Sequence, residues 1–289
     1  MLRNLLARLP RPWLLALTGG LARLAWTLRI RRKVVLSNLA LAFPEKSEAE
    51  RRAIARATYR HLGRMLTEIL LVPRMTPAEL VQALDLDSLD VVRAAQAQGK
   101  GVVACTAHYG NWELLQAGAS LRGVPISSIS RHQERTRADS ALKETRRQAG
   151  VEELMVKRGS TLKAALRALK EGRVLGYVID QNQPPRHAIF PTFFGVPAAT
   201  AATPAYLALR HGAAVVFTVA VPAGGDRYKV VIEGPFQVQD TGDRERDVLA
   251  FMQHLNDRLE HYVRLHPECW YWLHRRWKTR PPGEPARPR

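Results

Sequence analysis

In the stretch Ala107-His108-Tyr109-Gly110-Asn111-Trp112-Glu113, a histidine and a glutamate stand five positions apart. An imidazole with one nitrogen held by a carboxylate keeps the other as a proton acceptor, so such a pair can deprotonate an alcohol. This is a two-member form of serine–histidine–aspartate logic, with a substrate hydroxyl in the place of the serine. A loop histidine bonded to a neighbour would look the same, and one His-x4-Glu spacing does not separate the two readings.

The surrounding pattern says what must position the pair. The apolar run Gly101–Thr106 reads as a strand, and Asn111 is a good N-cap for a helix opening at Trp112. His108 then lies at the carboxyl end of a strand, where α/β sheets bind ligands. Glu113 falls in a first helical turn, where the dipole favours its charged form. Further apolar runs at Val124–Ile129, Val174–Ile179 and Ala213–Val221 alternate with helical stretches, and Gly123, Gly150, Gly172 and Gly212 punctuate the joins. Tyr228–Glu233 reads as an additional, antiparallel strand, and Arg244–Leu265 as a long final helix. The expected fold is α/β, with a mixed, largely parallel central sheet flanked by helices.

The first third reads as helical. Ser47 and Glu50 form a capping box ahead of a long amphipathic helix, Thr76-Pro77 opens another, and Gly99 stops a helix covering Val91–Gln98. Before them, Trp13–Leu28 is a 16-residue apolar run interrupted by Arg23 and flanked by Arg3, Arg8 and Arg11, then by Arg29, Arg31, Arg32 and Lys33. It falls short of the roughly 20 residues that span a bilayer. We read it as a helical anchor lying in or dipping into the membrane, its basic end held on the cytoplasmic side. A short tilted span and a buried helix are the alternatives. The expected organisation is a membrane-associated anchor over 1–45, an α/β domain over 46–280 whose leading segment 46–98 is helical, and a disordered tail over 281–289.

Composition narrows the partners. With 46% hydrophobic and 24% charged residues the chain is globular, and a formal charge of +18 implies anionic partners: nucleic acid, anionic lipid or an acidic carrier protein. Cys105 and Cys269 are too few for a disulfide framework and lack zinc-finger spacing; Cys105, within an apolar run, reads as core. The segment His274-Arg275-Arg276-Trp277-Lys278 mixes bases with aromatics, which suits a lipid interface as well as a nucleic acid. A Gly-x-Ser-x-Gly elbow, a Walker loop and a dinucleotide fingerprint are all missing from the sequence.

AHYGNWELL resembles the His-x4-Asp/Glu block of the lysophospholipid acyltransferase superfamily, and His-x-Gly-Asn-Trp-Glu is similar to its lipid A branch, the late lauroyl/myristoyl acyltransferases. LSNLALAFPEKSEAERR, Ser130-Arg131, YVIDQNQPPRHAIFPTFFGVPAATAATPAYLALRHGAAVV and WYWLHRRWKTRPPGE resemble further segments of that branch in the same order, over roughly residues 13–284. The resemblance implies His108 as general base and Glu113 as its orienter. It implies Arg131 as a residue that positions an anionic group of substrate, and Asp180-Gln181 as site residues that order a loop or touch substrate. Asn182 departs from the second acidic residue often found next in the family. From the residues alone, Arg158 reads as a phosphate partner or a surface charge, and Gly195 as a close approach to ligand or a simple turn. The Glu-Gly-Thr-Arg-like block of glycerolipid acyltransferases is missing, which argues against a lysophosphatidate acceptor.

The reading is therefore transfer of a fatty acyl chain from acyl carrier protein to a hydroxyl of a lipid A precursor, at the cytoplasmic face of the cell inner membrane. It needs no cofactor, metal or acyl-enzyme, and no nucleic acid. A related enzyme acting on a lyso-ornithine lipid, lysophospholipid or pigment lipid is the first alternative. A non-catalytic lipid-binding or nucleic-acid-binding protein is the second.

Overall fold

A computed structural model describes residues 9–72, 75–131, 143–144, 146–156, 161–225 and 227–285. The side chains of Ser130 and Arg131 lie outside this description.

The helical first third begins with α1 (Arg11–Thr27), α2 (Arg32–Ala42) and α3 (Glu48–Leu71). The expected capping box starts α3: the Glu50 backbone N–H donates to Ser47 Oγ, and the Ser47 N–H donates to Glu50 Oε2 at 2.7 Å. α1 lies along α3, burying Leu14, Thr18 and Ala22. The helices touch closely because Gly63 lacks a side chain; a Cβ there would come within 2.9 Å of the Thr18 carbonyl oxygen. Thr18 and Thr67 hydroxyls close the contact at 2.6 Å.

A neighbouring stripe of α1 is apolar and exposed: Trp13, Leu17, Leu21 and Leu24, continued just beyond the helix by Leu28 and Ile30. Seventeen residues at 1.5 Å per residue reach about 25 Å, less than a hydrocarbon core of about 30 Å. No helix among the described residues is long and apolar enough to cross a membrane. α1 is thus a half-buried helix with one exposed apolar face.

After α4 (Pro77–Gln82), β1 (Leu84–Asp85) and α5 (Leu89–Ala97), the sheet is built from β2 (Val102–Thr106), β3 (Ile126–Arg131), β4 (Glu152–Val156), β5 (Val174–Val178), β8 (Ala214–Pro222) and β9 (Tyr228–Phe236). Its order is β1-β9-β8-β2-β5-β3-β4. β2 pairs in parallel with both β5 and β8, and only β8–β9 is antiparallel, as the Tyr228 strand predicted. α6 (Trp112–Leu121) packs on one sheet face with Val102, Val174, Ile126 and Val216. α7 (Thr161–Lys170), α8 (Thr203–His211) and α9 (Arg244–Leu265) cover the other, with Val103, Cys105, Leu175 and Phe217.

Sequence reading placed no strand at β4, which pairs in parallel with β3 from Glu152 to Val156. It is an edge strand beginning with two consecutive glutamates, so it lacks the apolar run that marks the buried strands. A two-stranded hairpin, β6 (Thr192–Phe193) with β7 (Val196–Pro197), was likewise illegible. Of the tail, Pro281–Pro285 is placed, with Glu284 paired to Arg280.

Candidate active site

The strand β2 ends at Thr106 and the chain turns at once, the Tyr109 N–H donating back to the Ala107 carbonyl at 2.8 Å. Gly110 follows with φ +58, pressed against β8 so closely that a Cβ would sit 1.8 Å from the Ala220 carbonyl oxygen. No other residue fits there without moving β8. Asn111 then caps α6 by accepting the Leu114 N–H at 3.0 Å, and its amide donates to buried Glu68 of α3 at 2.7 Å. Tyr228 and Arg64 also bond Glu68, so the start of α6 is fixed from two elements, α3 and β9.

This turn brings His108 to the carboxylate of Asp180, which follows β5. His108 Nδ1 lies 2.8 Å from Asp180 Oδ1, and the His108 backbone N–H donates to Oδ2 at 3.0 Å. Trp270 Nε1 donates to the same Oδ2 at 2.8 Å. Burial works against the Asp180 carboxylate, yet the imidazole charge and these hydrogen bonds hold it down at about 2. Burial likewise works against the His108 cation, but Asp180 outweighs it and the imidazole is raised above its ordinary value, with Glu113 adding to the rise. With Nδ1–H given to Asp180, Nε2 is the free acceptor. It faces the Gln181 amide at 3.4 Å. The His108 side chain keeps 20% exposure where Asp180 keeps 3%.

Glu113 is not the carboxylate on His108. Its oxygens take a two-pronged ion pair from Arg146, Nε at 2.9 Å and NH2 at 2.5 Å, with Trp112 and Gln116 side chains donating as well. Arg146 also binds Glu153 at 2.6 Å. Burial disfavours the Arg146 cation, but the two glutamates reverse this and raise it. The residue was not singled out in sequence because no motif marks it: it sits 33 positions from Glu113 and meets it only through the β3–β4 connection.

One cavity of about 1240 Å³ is lined by His108, Glu113, Arg146 and Gln181. Its walls come from both faces of the sheet. Ala104, Gly176 and Ser128, side by side in register, line it on the α6 face, and Tyr177, Leu162 and Leu207 on the other. His108 stands at the crest where the strands end. The small residues Ala104 and Gly176 open a trough beneath it on the α6 face.

The other sequence-derived site residues scatter. Arg131 ends β3, and Arg158 lies outside the described residues. Gly195, exposed, and Phe194, buried, make the turn of the β6–β7 hairpin with φ of +69 and +52; a Cβ on Gly195 would meet nothing, and it does not line the cavity. Asn182 bonds the C-terminal segment: its N–H donates to His274 Nε2 at 2.8 Å, and its side chain to Thr279. Among the described residues no group of His, Cys, Asp or Glu could hold a metal ion. Cys105 is fully buried in the core, its thiol pushed far up by burial.

A family model described as bacterial lipid A biosynthesis acyltransferase matches residues 1–279. The chain is 30% identical over 98% of its length to the lipid A biosynthesis lauroyltransferase of Escherichia coli (strain K12), covering 91% of that relative. It is 24% identical to the lipid A biosynthesis myristoyltransferase of the same organism, over 88% of this chain and 77% of the relative. A phosphatidylinositol mannoside acyltransferase of Mycobacterium tuberculosis (strain CDC 1551 / Oshkosh) is 28% identical over 76% of this chain and 69% of its own.

Proposed function

The chain belongs to the bacterial lipid A biosynthesis acyltransferases, and from that premise we propose that it moves a fatty acyl chain from an acyl carrier protein thioester to a hydroxyl of a lipid A precursor. Chemistry takes place at His108, with the cytoplasmic face of the inner membrane as the surface on which the enzyme works.

His108 Nε2 takes the proton of the acceptor hydroxyl as its oxygen attacks the thioester carbonyl. Asp180, on Nδ1, holds the tautomer and stabilises the imidazolium, the part that sequence reading gave to Glu113. When the tetrahedral intermediate collapses, the carbon–oxygen ester bond is kept, the carbon–sulfur bond breaks, and the leaving thiolate recovers the proton from His108. The first turn of α6 offers backbone N–H groups and its positive dipole end to the developing oxyanion. Glu113 acts at one remove, holding Arg146 in the cavity wall and favouring the imidazolium by its charge. The trough floored by Ala104 and Gly176 suits an acyl chain, and the bare face of α1 with its basic flank suits an anionic membrane surface.

The observation that carries this reading is the His108–Asp180 contact opening onto the cavity, with Nε2 met only by the Gln181 amide at 3.4 Å. The likeness to a phosphatidylinositol mannoside acyltransferase supports the alternative of another lipid acceptor. Acyl carrier proteins of several chain lengths with a tetra-acylated lipid A precursor, followed by mass spectrometry, test both. Addition of one acyl chain that disappears in His108→Ala supports the proposal; transfer undiminished in that variant rejects the catalytic assignment.

A further inference from the structure

α1 and α2 are joined by a turn that glycine would enter freely and that this chain makes with arginines. Arg29 has φ +59 and Arg31 φ +58. Arg29 occupies the left-handed position after α1 that glycine most often takes, with the Ile30 N–H reaching back to the Ala25 carbonyl at 2.9 Å. Such backbone strain at non-glycine residues persists where the surroundings over-determine it. Here they do. Arg32 N–H donates to the Arg29 carbonyl at 3.1 Å, and the Tyr59 hydroxyl donates to the Ile30 carbonyl. Arg32 and Arg56 lie on Trp26 at 5.1 and 5.7 Å from its ring centre.

The Arg32 guanidinium is thus held on Trp26, and the turn fixes the backbone of Arg29 and Arg31. Neither Arg29, Arg31 nor Arg32 forms an ion pair among the described residues, whereas Arg52, Arg93, Arg146, Arg173 and Arg258 all do. The turn also lies on the path to the catalytic crest. Asn38 of α2 donates to the Trp272 and His274 carbonyls at 2.8 and 2.7 Å, and the Tyr271 N–H donates to the His108 carbonyl at 3.0 Å. The Tyr271 ring stands 6.0 Å from the His108 ring. The positive charge of Arg31 reaches Tyr271, where it opposes the rise caused by burial, and His274, where it adds to the lowering that burial causes. On its outer side the turn continues the exposed stripe through Leu24, Leu28 and Ile30. A cationic clamp therefore sits between the surface fit for lipid and the flank of the catalytic histidine.

We propose that Arg29, Arg31 and Arg32 bind a phosphate group of the acceptor lipid, holding its headgroup at the membrane edge while its hydroxyl reaches His108. This rests on the lipid acceptor reading above and adds the site of headgroup recognition. Arginine suits the task because its fork can engage phosphate oxygens in pairs.

The test uses neutral detergent micelles, so that no anionic bilayer contributes, and two acceptors: a bisphosphorylated tetra-acyl disaccharide and its dephosphorylated form. In Arg31→Gln and in the Arg31→Gln/Arg32→Gln double variant, KM for the phosphorylated acceptor should rise about tenfold or more, with kcat kept. KM for the dephosphorylated acceptor should stay at the wild-type value. Lys33→Gln, which removes an equal charge just outside the turn, should leave both KM values unchanged. Arg31→Gly should raise Tm by relieving the backbone while losing phosphate preference as Arg31→Gln does. Equal changes on both acceptors, no change on either, or an equal effect of Lys33→Gln would overturn the proposal. Wild-type enzyme that acylates neither disaccharide would instead overturn the acceptor reading, and this proposal with it.

Discussion

Asp180 accepts hydrogen bonds from the ring and backbone of His108 and from Trp270, while a few helices away six large apolar side chains on and beside α1 stand exposed. The two regions are built by the same physics under opposite conditions. At the crest, low local dielectric makes an unanswered charge costly, so Asp180 and Glu113 are each held by several donors. On α1 the inner face follows this rule, with Thr18 bonded to Thr67, and the outer face departs from it. An apolar stripe bordered by arginines without an acidic partner among the described residues suits an anionic lipid surface. On the proposed reading the crest performs the reaction and the α1 stripe brings the lipid to it, and each half can be broken alone.

The largest effect is expected at the crest. His108→Ala should lower kcat by about a thousandfold or more, with Tm changed little because the side chain is partly exposed. If kcat falls less than tenfold, the crest is not the reacting centre. Next comes Asp180→Asn, with a loss of about a hundredfold from a misoriented imidazole. Its pH profile carries the sign. Asp180 raises His108, so in wild type the neutral base forms only above the ordinary imidazole range, and activity climbs as pH rises through that raised value. Without the carboxylate the acid limb of kcat/KM should move to lower pH. Glu113→Gln should cost less, about tenfold to a hundredfold, and should move the limb only slightly, since Glu113 acts on His108 at a distance.

Leu17→Ser, Leu21→Ser and Leu24→Ser together address the other half of the comparison. Vesicle sedimentation should weaken about tenfold or more from the lost apolar area. Turnover of acceptor in detergent should be preserved; a matching fall in turnover would mean the outer face of α1 belongs to the site. The smallest effect concerns stability. His274 is held at about 4, chiefly by burial, and stays neutral to accept the Asn182 N–H. An unfolded chain takes up that proton near pH 6.5, so stability is complete above that value and declines as pH falls toward 4. His274→Asn should have a flatter Tm between pH 7 and 4.5 than wild type.

The central strands and the strand-to-helix turn were legible because burial on both faces leaves continuous apolar runs and because Asn111 marks a helix start. β4 was not, its glutamates being spent on Ser127, Arg173 and Arg146 at a sheet edge. The histidine could be found, but its partner could not be derived. Spacing within one motif favours the near carboxylate, whereas parallel pairing of β2 with β5 sets Thr106 beside Val178 and so brings Asp180 to His108 across 72 positions. That contact belongs to sheet register, which the motif does not contain. The family resemblance had marked Asp180 and Gln181 as ordering a loop or touching substrate; the structure sets them on the two ring nitrogens of His108, Asp180 at 2.8 Å and Gln181 at 3.4 Å. The helix α1 was legible as an apolar run with basic flanks, but its half-buried state depends on Gly63 and Thr67 in a distant helix.

The assignment of Asp180 rather than Glu113 as the partner of His108 is tested most directly by ring nitrogen NMR of His108 across a pH titration in wild type, Asp180→Asn and Glu113→Gln. The account predicts an Nδ1–H tautomer titrating above the ordinary imidazole value in wild type. In Asp180→Asn the tautomer should become mixed and the titration fall by about one pH unit or more, while Glu113→Gln keeps the wild-type tautomer with a smaller shift. A His108 that loses its tautomer in Glu113→Gln and keeps it in Asp180→Asn would contradict it.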